Sequence, residues 1–299
     1  MNQTTKTSER KIYMKVIDLH THSNISDGSL TPTELIKRAI SLNISAIALT
    51  DHDTTDGVAE AKKAAGNKIE FIPGIELSAF YLDREVHIVG LWVDAQNKDF
   101  QNQISEVYLA RKNRNAQMIE VMQKAGIDIT FEKLTAEEGD GVLTRANFSN
   151  YLRRRGIVKS NNEAFERFLN PGRPFYIPRK HLSPEAAINA IHTAGGVAIL
   201  AHPLLYHLDD TALDKCVATM KNYSIDGIEV YYSRNVGSDE LHVKHLAKKY
   251  DLLYSGGSDF HGTYKPDIEL ATGTGHLVVP YDILEPLKQK KHEHQTKFQ

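Results

Sequence analysis

The 299-residue chain has one cysteine, Cys216, one tryptophan, and no uninterrupted apolar run long enough to span a bilayer. A single cysteine excludes an internal disulfide framework and fits a reducing compartment. In its helix-like surroundings Cys216 reads as a small buried hydrophobe rather than a nucleophile. The missing apolar run excludes a helical membrane span. Neither sign of charge dominates: Lys plus Arg is 36, Asp plus Glu is 38, and the net charge is −2. Bulk electrostatic capture of nucleic acid is therefore excluded, and any such contact has to be local. Repeats and low-complexity stretches are absent too. Residues 1–14 are polar, mixed in charge and without the apolar stretch of a secretory signal. They are expected to form a frayed tail, and the expected location is the cytoplasm. No membrane contact and no obligate protein partner is expected.

What is present is a core. Hydrophobic residues make up 41% and charged residues 25%, enough for one large domain or two modest ones. Short apolar runs end abruptly in polar residues. Val16 to Leu19 leads into His20-Thr21-His22, Ile44 to Leu49 into Thr50-Asp51-His52-Asp53, and Phe71 to Ile75 into Glu76. Gly196 to Leu200 leads into Ala201-His202-Pro203, Gly227-Ile228 into Glu229, and Leu252 to Tyr254 into Ser255 through His261. Such runs suit strands of a parallel sheet buried on both faces. Helical patterns lie between them. Pro32 to Leu42 opens on Thr31 as N-cap, Ser183-Pro184 opens a helix closing at Gly195-Gly196, and Asp239 to Tyr250 is a third. The alternation predicts an α/β fold, with a parallel sheet or barrel whose chemistry sits at the C-terminal strand ends. Val86 to Val93 breaks the pattern. A turn at Asp83-Arg84 predicts a hairpin that brings His87 to the rim carrying Glu76. Between residues 99 and 178 the strand signal vanishes. Asp99 to Ala125 reads as a long polar helix, Asn147 to Arg155 and Asn161 to Leu169 as shorter ones. The expected organisation is a barrel domain over 15–98 and 179–290 with an inserted helical substrate-recognition domain over 99–178.

Of 14 histidines, two (His292 and His294) fall in a basic tail that is expected to be solvated. Asp18-x-His20-x-His22 is different, because alternate residues of an extended segment face one side and can grip one ion. Two surface histidines in a loop would look the same. Against that stand His52, Glu76, His202, Asp259 and His261 at other strand ends, where an unpaired carboxylate after an apolar run is costly. His87 and Asp27 complete nine candidate ligands. Nine exceed the four of a single zinc site, so two or three divalent ions are expected. Imidazole and carboxylate without thiolate suit Mn2+, Fe2+ or Zn2+.

Those stretches, in order, resemble the motifs of the PHP (polymerase and histidinol phosphatase) family: Asp18-x-His20-x-His22, Thr50-Asp51-His52, Pro73 to Glu76, His87 to Gly90, Ala201-His202-Pro203 and Ser258 to His261. The resemblance runs from about residue 15 to 280 and implies a distorted (β/α)7 barrel with a trinuclear metal centre. It further implies one ion held by His20, His22, Glu76 and Asp259, a second by Asp27, His52 and His261, and a third by Glu76, His87 and His202, with Glu76 bridging. Some family members carry His where Asp27 stands; the extra negative charge points to Mn2+ first, with Fe2+ or Zn2+ as alternatives.

The insertion is similar to that of the 3′,5′-nucleoside bisphosphate phosphatases, also described as RNase AM, a 5′-to-3′ exoribonuclease. Leu143 to Asn147, Tyr151-Leu152, Ala164 to Leu169, Tyr176 to Pro178 and Ala194 to Val197 carry that likeness. Two departures stand out. Arg145-Ala146-Asn147 replaces the usual Arg-Pro-His, and Arg234-Asn235 stands where a His commonly follows the Tyr-rich strand. The implied activity is hydrolysis of nucleoside bisphosphates, of short 5′-phosphorylated RNA, or of both, by a water activated on the metals. The alternatives are another activity of the family, such as histidinol-phosphate hydrolysis, or a non-catalytic metal-binding module. The insertion argues against the first, and nine filled ligand positions against the second.

For substrate, Arg145 is the leading candidate for a terminal phosphate, because a guanidinium fork matches phosphate oxygens. Arg234 is second, and Asn147 occupies the departed position. Arg153-Arg154-Arg155 reads either as an RNA patch or as a solvated helix face. Tyr231 or Tyr232 could stack a base, but strand alternation sends one of them into the core. Asp51 and Asp53 either orient the ligand between them or cap the helix that follows.

Overall fold

The computed structural model of the chain describes residues 15–139 and 141–297. The expected frayed tail, residues 1–14, lies outside them. Seven strands follow chain order in one sheet: β1 (Ile17–Asp18), β2 (Ala46–Leu49), β3 (Glu70–Tyr81), β4 (Arg84–Leu91), β5 (Val197–Leu200), β6 (Gly227–Tyr232) and β7 (Leu253–Gly257). β4 alone runs against its neighbours; the other pairings are parallel. The sheet nearly closes. The Leu19 N–H donates to the Gly256 carbonyl at 3.1 Å, and the Asp259 N–H to the His20 carbonyl at 2.8 Å. The mixed α/β barrel expected from the motifs is what forms, with one strand reversed.

The helices outside it follow from local sequence. Thr31 caps α1 (Pro32–Ser41) in a capping box with Glu34. After α2 (Val58–Ala65) and the β3–β4 hairpin come α3 (Lys98–Lys124), α4 (Phe131–Glu138), α5 (Arg145–Arg154) and α6 (Asn161–Ala164). The stretch read as one helix from Asn161 to Leu169 is this single turn followed by a π-helical turn, Phe165–Leu169. α7 (Pro184–Thr193), α8 (Asp210–Asn222), α9 (Asp239–Lys249) and α10 (Leu284–Lys297) complete the chain. α3 is not simply a solvated helix. Phe100 and Ile104 pack on the barrel-side core, whereas Met118, Ile119 and Met122 join Leu134, Phe148, Tyr151 and Leu152 in a cluster of their own. Among the described residues no helix is long and apolar enough to cross a membrane.

The hairpin turn falls at Leu82-Asp83, one residue earlier than the sequence suggests, with Tyr81 opposite Arg84 and Leu82 at φ 55°. The consequence for His87 is as expected. Ile75, Leu77, Ala79, Val86 and Ile88 pack in the core beneath α7. The period of two therefore sends Glu76, Ser78 and His87 together to the opposite face.

The basic tail is also more than a tail. α10 buries Leu284 and Leu287, and His294 Nε2 lies 2.9 Å from Asp226 Oδ1. His192 Nε2 meets the other oxygen of Asp226 at 2.8 Å, and the two imidazoles stack 4.3 Å apart. Only a helix docked on the barrel brings these three together, so the expectation of a solvated His294 is corrected.

Candidate metal centre

All nine expected ligands converge at one rim of the barrel, the one formed by the C-terminal ends of the parallel strands, with His87 near the start of the reversed β4 and Asp27 on a loop. Glu76 is the hub. Its Oε2 lies 3.3 Å from His20 Nε2, 3.3 Å from His22 Nε2 and 3.1 Å from His52 Nδ1. Its Oε1 lies 2.9 Å from His87 Nδ1 and 3.0 Å from His202 Nε2. A second carboxylate, Asp259 Oδ1, stands 3.4 Å from both His22 Nε2 and His261 Nδ1. The third, Asp27, reaches His261 Nε2 at 3.2 Å and His52 Nε2 at 3.7 Å. Four overlapping ligand groups result: His22-Asp27-His52-His261, His20-His22-Asp259, His20-Glu76-His202 and His52-Glu76-His87.

Backbone strain helps aim these groups. Strict alternation would send His202 to the side of Ala198 and Leu200; φ of 27° at His202 turns it toward Glu76 instead. Asp259 has φ 56° and Asp53 φ 53°. Left-handed non-glycine residues cost energy and persist where surroundings over-determine them. Asp51 accepts from the Ser23 N–H (2.8 Å), Ser23 Oγ (2.6 Å) and Ser26 Oγ (2.7 Å), which fixes the loop carrying Asp27. Asp18 does the same for the Asp259 loop through Ser258 Oγ (2.6 Å) and the Ala271 N–H (2.8 Å). Burial pushes both acids up to about 6. Neither Asp51 nor Asp53 caps α2, whose N-cap Gly57 has no side-chain partner. Asp53 is bound to Arg111 and accepts from the Ser78 N–H at 2.8 Å.

The donor set fits divalent cations. His20 Nε2, both ring nitrogens of His22, His52 Nδ1 and His202 Nδ1 are buried without a hydrogen-bond partner. Leaving that many polar atoms orphaned is costly, and a cation among them removes the cost. Burial pushes His52 down to about 3, the neutral state that ligation requires. Burial opposes charge on Glu76 and Asp27 as well, yet the surrounding imidazoles hold both well below the usual carboxylate range. For His87 burial is outweighed by Glu76 and Glu85, and its pKa rises to about 10.

Sequence reading missed Glu229, although an acid closing an apolar run was its signal. Its Oε1 lies 3.0 Å from His20 Nδ1. It also missed a cationic wall beside the ligands. Arg145 Nη2 meets Glu85 Oε2 at 2.6 Å, and Arg111 and Arg145 line a cavity of about 350 Å3 together with His52, His87, His202 and His261. Behind them Arg114 Nη2 and both terminal nitrogens of Arg179 are buried without hydrogen-bond partners. Burial, then the neighbouring Arg111, pulls Arg179 down to about 10. Four guanidinium groups thus face two acids, Asp53 and Glu85.

The other substrate candidates part company here. Arg234 is half-exposed, pairs with Asp267 at 2.6 Å and lines an adjoining groove rather than the cavity. Asn147 lines neither the cavity nor the groove. It is fully buried, its Oδ1 accepts the Thr144 N–H at 2.7 Å, and its Nδ2 donates to Glu138 at 3.1 Å. Asn147 belongs to the cap of α5, whose capping box uses its Oδ1, while its Nδ2 ties the cap to Glu138 in α4. Tyr232 is buried and donates to Asp259 Oδ2 at 2.8 Å; Tyr231 packs against Lys244. Asn235 Nδ2 donates to the Val230 carbonyl at 2.9 Å.

Comparison with known proteins follows the same lines. Residues 18–168 match the model of the PHP domain. The 5'-3' exoribonuclease Rnm of Escherichia coli is 35% identical over 256 residues, covering 83% of this chain and 86% of its own. The 3',5'-nucleoside bisphosphate phosphatase of Chromobacterium violaceum is 37% identical over 251 residues, covering 83% and 88%. A solved Chromobacterium violaceum structure, an amidohydrolase with bound sulfate, superposes with a TM-score of 0.82 at 33% identity, over 92% of this chain and 96% of that one.

Proposed function

The chain belongs to the PHP domain family and is a hydrolase, and from that premise we propose a metal-dependent phosphoesterase that hydrolyses 3′,5′-nucleoside bisphosphates and trims short 5′-phosphorylated RNA. Two or three divalent ions, Mn2+ first, would be held by His20, His22, Asp27, His52, Glu76, His87, His202, Asp259 and His261. When bound, such ions neutralise phosphate oxygens and lower the pKa of water toward neutrality. The helical segment 99–178 is the substrate-recognition unit in this reading, and the compartment is the cytoplasm.

One observation carries the choice of substrate: the surplus of guanidinium groups beside the ligands. Arg111 and Arg145 line the cavity, and Arg114 and Arg179 behind them lack hydrogen-bond partners; Arg179 shares Asp53 and Glu85 at 3.6 Å, so four cations divide two negative charges. A second phosphate, held apart from the reacting one, would supply that charge through forked contacts. One site then serves both substrate types. The 5′-phosphate is gripped by Arg145 and Arg111, and the ester on the 3′ side is cut. In a bisphosphate that ester bears a terminal phosphate; in RNA it links to the next nucleotide. Phe165 and Leu205 line the same cavity and would exclude water beside the nucleoside. Lys265, whose Nζ meets Asp259 Oδ2 at 2.8 Å, brings one more cation to it.

The test is a substrate panel on Mn-reconstituted protein: adenosine 3′,5′-bisphosphate, adenosine 3′-monophosphate, histidinol phosphate and a 5′-phosphorylated oligoribonucleotide. The bisphosphate should be turned over with a kcat/KM well above the monophosphate. Preference for histidinol phosphate, or no turnover of any of the four, would overturn the reading.

A further inference from the structure

A second groove of about 610 Å3 opens beside the cavity that holds the candidate ligands. The two share Asp27, Ala146, Phe165, His261 and Lys265 as a common wall. α5 serves both. Arg145 faces the first cavity, while Ala146, Asn150 and Arg153, spaced i, i+4 and i+7 along one helical face, line the second. The run Arg153-Arg154-Arg155 splits accordingly. Arg154 and Arg155 pair with Glu137 and Glu138. Arg153 is exposed and has no ion-pair partner among the described residues. Across the groove Lys159 is exposed as well and forms no close ion pair there; Glu163 is the acid it influences. Asn161 donates to Asn150 Oδ1 at 2.9 Å and leaves its own Oδ1 buried without a partner. Tyr264 and Arg234 line the groove too.

We infer that this groove carries the downstream part of a single-stranded RNA, on the 3′ side of the ester being cut. The inference rests on the functional reading above and assigns a site that reading does not use. Three features select the occupant. The groove is continuous with the reacting cavity, so a strand leaving the ligands enters it. Its two unpaired cations stand where phosphates of that strand would run. Amides and an aromatic ring alternate with the charges, the composition of surfaces that hold single strands without reading their sequence. A nucleoside bisphosphate ends at the ligands and never reaches Arg153 or Lys159. The groove therefore separates two substrates that the reacting site treats alike.

The experiment combines Arg153→Ala with Lys159→Ala in the full chain, loaded with Mn. Both residues are exposed, so the fold is expected to hold, and a thermal melt checks it. The substrates are adenosine 3′,5′-bisphosphate and 5′-phosphorylated di-, tri- and tetraribonucleotides. Wild-type kcat/KM should rise with chain length. The double variant should lose roughly tenfold on the tetranucleotide, keep wild-type turnover of the bisphosphate, and show a shallower salt dependence on RNA, by about 1.4 units of log–log slope for two lost phosphate contacts on a single strand. An equal loss on both substrates, or unaltered RNA turnover, would overturn the groove assignment while leaving the phosphoesterase reading intact. Wild-type turnover of the bisphosphate with no turnover of any oligonucleotide would overturn the groove assignment and the RNA half of that reading, and leave its phosphatase half standing. If the wild type hydrolyses neither, both readings fall.

Discussion

Glu229 holds His20. Its Oε1 lies 3.0 Å from His20 Nδ1, while its Oε2 accepts the backbone N–H of His202 at 2.7 Å. A carboxylate can only accept, so Nδ1 keeps a proton and Nε2, aimed at the cluster around Glu76, is the ring nitrogen left to ligate a cation. One buried acid thereby orients one candidate ligand and the backbone of another. Glu229→Ala should lower metal affinity about 10- to 100-fold, the usual cost of losing such a partner. Competition against a chelating dye reads this directly. Unchanged affinity would show that Glu229 only fills space.

Glu76 is the residue on which five imidazoles converge. Glu76→Gln keeps the shape and removes the charge. Because an orienting partner alone costs up to about a hundredfold, loss of the hub should cost activity more than that. Metal content measured by elemental analysis should drop by at least one ion per chain while circular dichroism stays native. Large retained turnover would contradict the bridging role.

Metal loading should release protons. In the metal-free chain burial opposes the charged form of His22, but Asp259 and Glu76 raise its pKa to about 9. His87 is raised to about 10. Burial opposes charge on His20 too, but Glu76 and Glu229 raise it well above its ordinary value. All three are therefore protonated at neutral pH and must lose a proton to ligate. Titrating chelator-stripped protein with Mn2+ at pH 7.5, in buffers of different ionisation enthalpy, should register release of about three protons. Binding heats independent of buffer would refute this.

Seven of the nine ligands were legible in the sequence because they follow an apolar run, whereas His87 opens one and Asp27 lies in a loop; strand periodicity says which side chains share a face. His20 with His22, and Glu76 with His87, are local consequences of that rule. The cationic wall was not legible. Arg111 and Arg114 sit within a long helix whose sequence reads as polar, and Arg111 meets Asp53 only because α3 lies across the barrel rim. Asn147 shows the opposite failure. Its position in a motif suggested substrate contact, whereas its immediate neighbours, Thr144 three residues before it above all, made it part of a helix cap. Nor could pattern reveal that the C-terminal basic run docks, because its anchor, Asp226, lies 68 residues away.

Arg145 can be tested apart from the ligands. Its guanidinium lines the cavity and is held by Glu85 rather than by any of the nine. Losing a charge-assisted contact to a phosphate costs about 1.5–3 kcal/mol, roughly ten- to a hundredfold. Arg145→Ala should raise KM for adenosine 3′,5′-bisphosphate by that factor. Turnover of adenosine 3′-monophosphate, which lacks the second phosphate, should change little. An equal loss on both would place the 5′-phosphate elsewhere.

The clamp at the opposite end of the barrel gives a pH signature. Burial opposes ionising Asp226, but hydrogen bonds from His192 and His294 prevail and bring its pKa down from 3.8 to about 2. A carboxyl depressed in the folded state contributes stability above its unfolded pKa and loses it as pH falls through the folded one. The contribution, about 2 kcal/mol, is thus fully present above about pH 5 and fades toward pH 2. Comparing chelator-treated wild type with Asp226→Asn by urea unfolding isolates it. At pH 6 the variant should be less stable by about that amount, and the gap should narrow steadily as pH drops from 4 to 2. Hydrogen exchange in α10 should speed up in the variant, because His294 then loses the charge that anchors it. A gap that stays constant with pH would mean that the carboxylate's charge contributes nothing, and that α10 is held by its other contacts, the buried Leu284 and Leu287 and the Lys288–Glu70 pair.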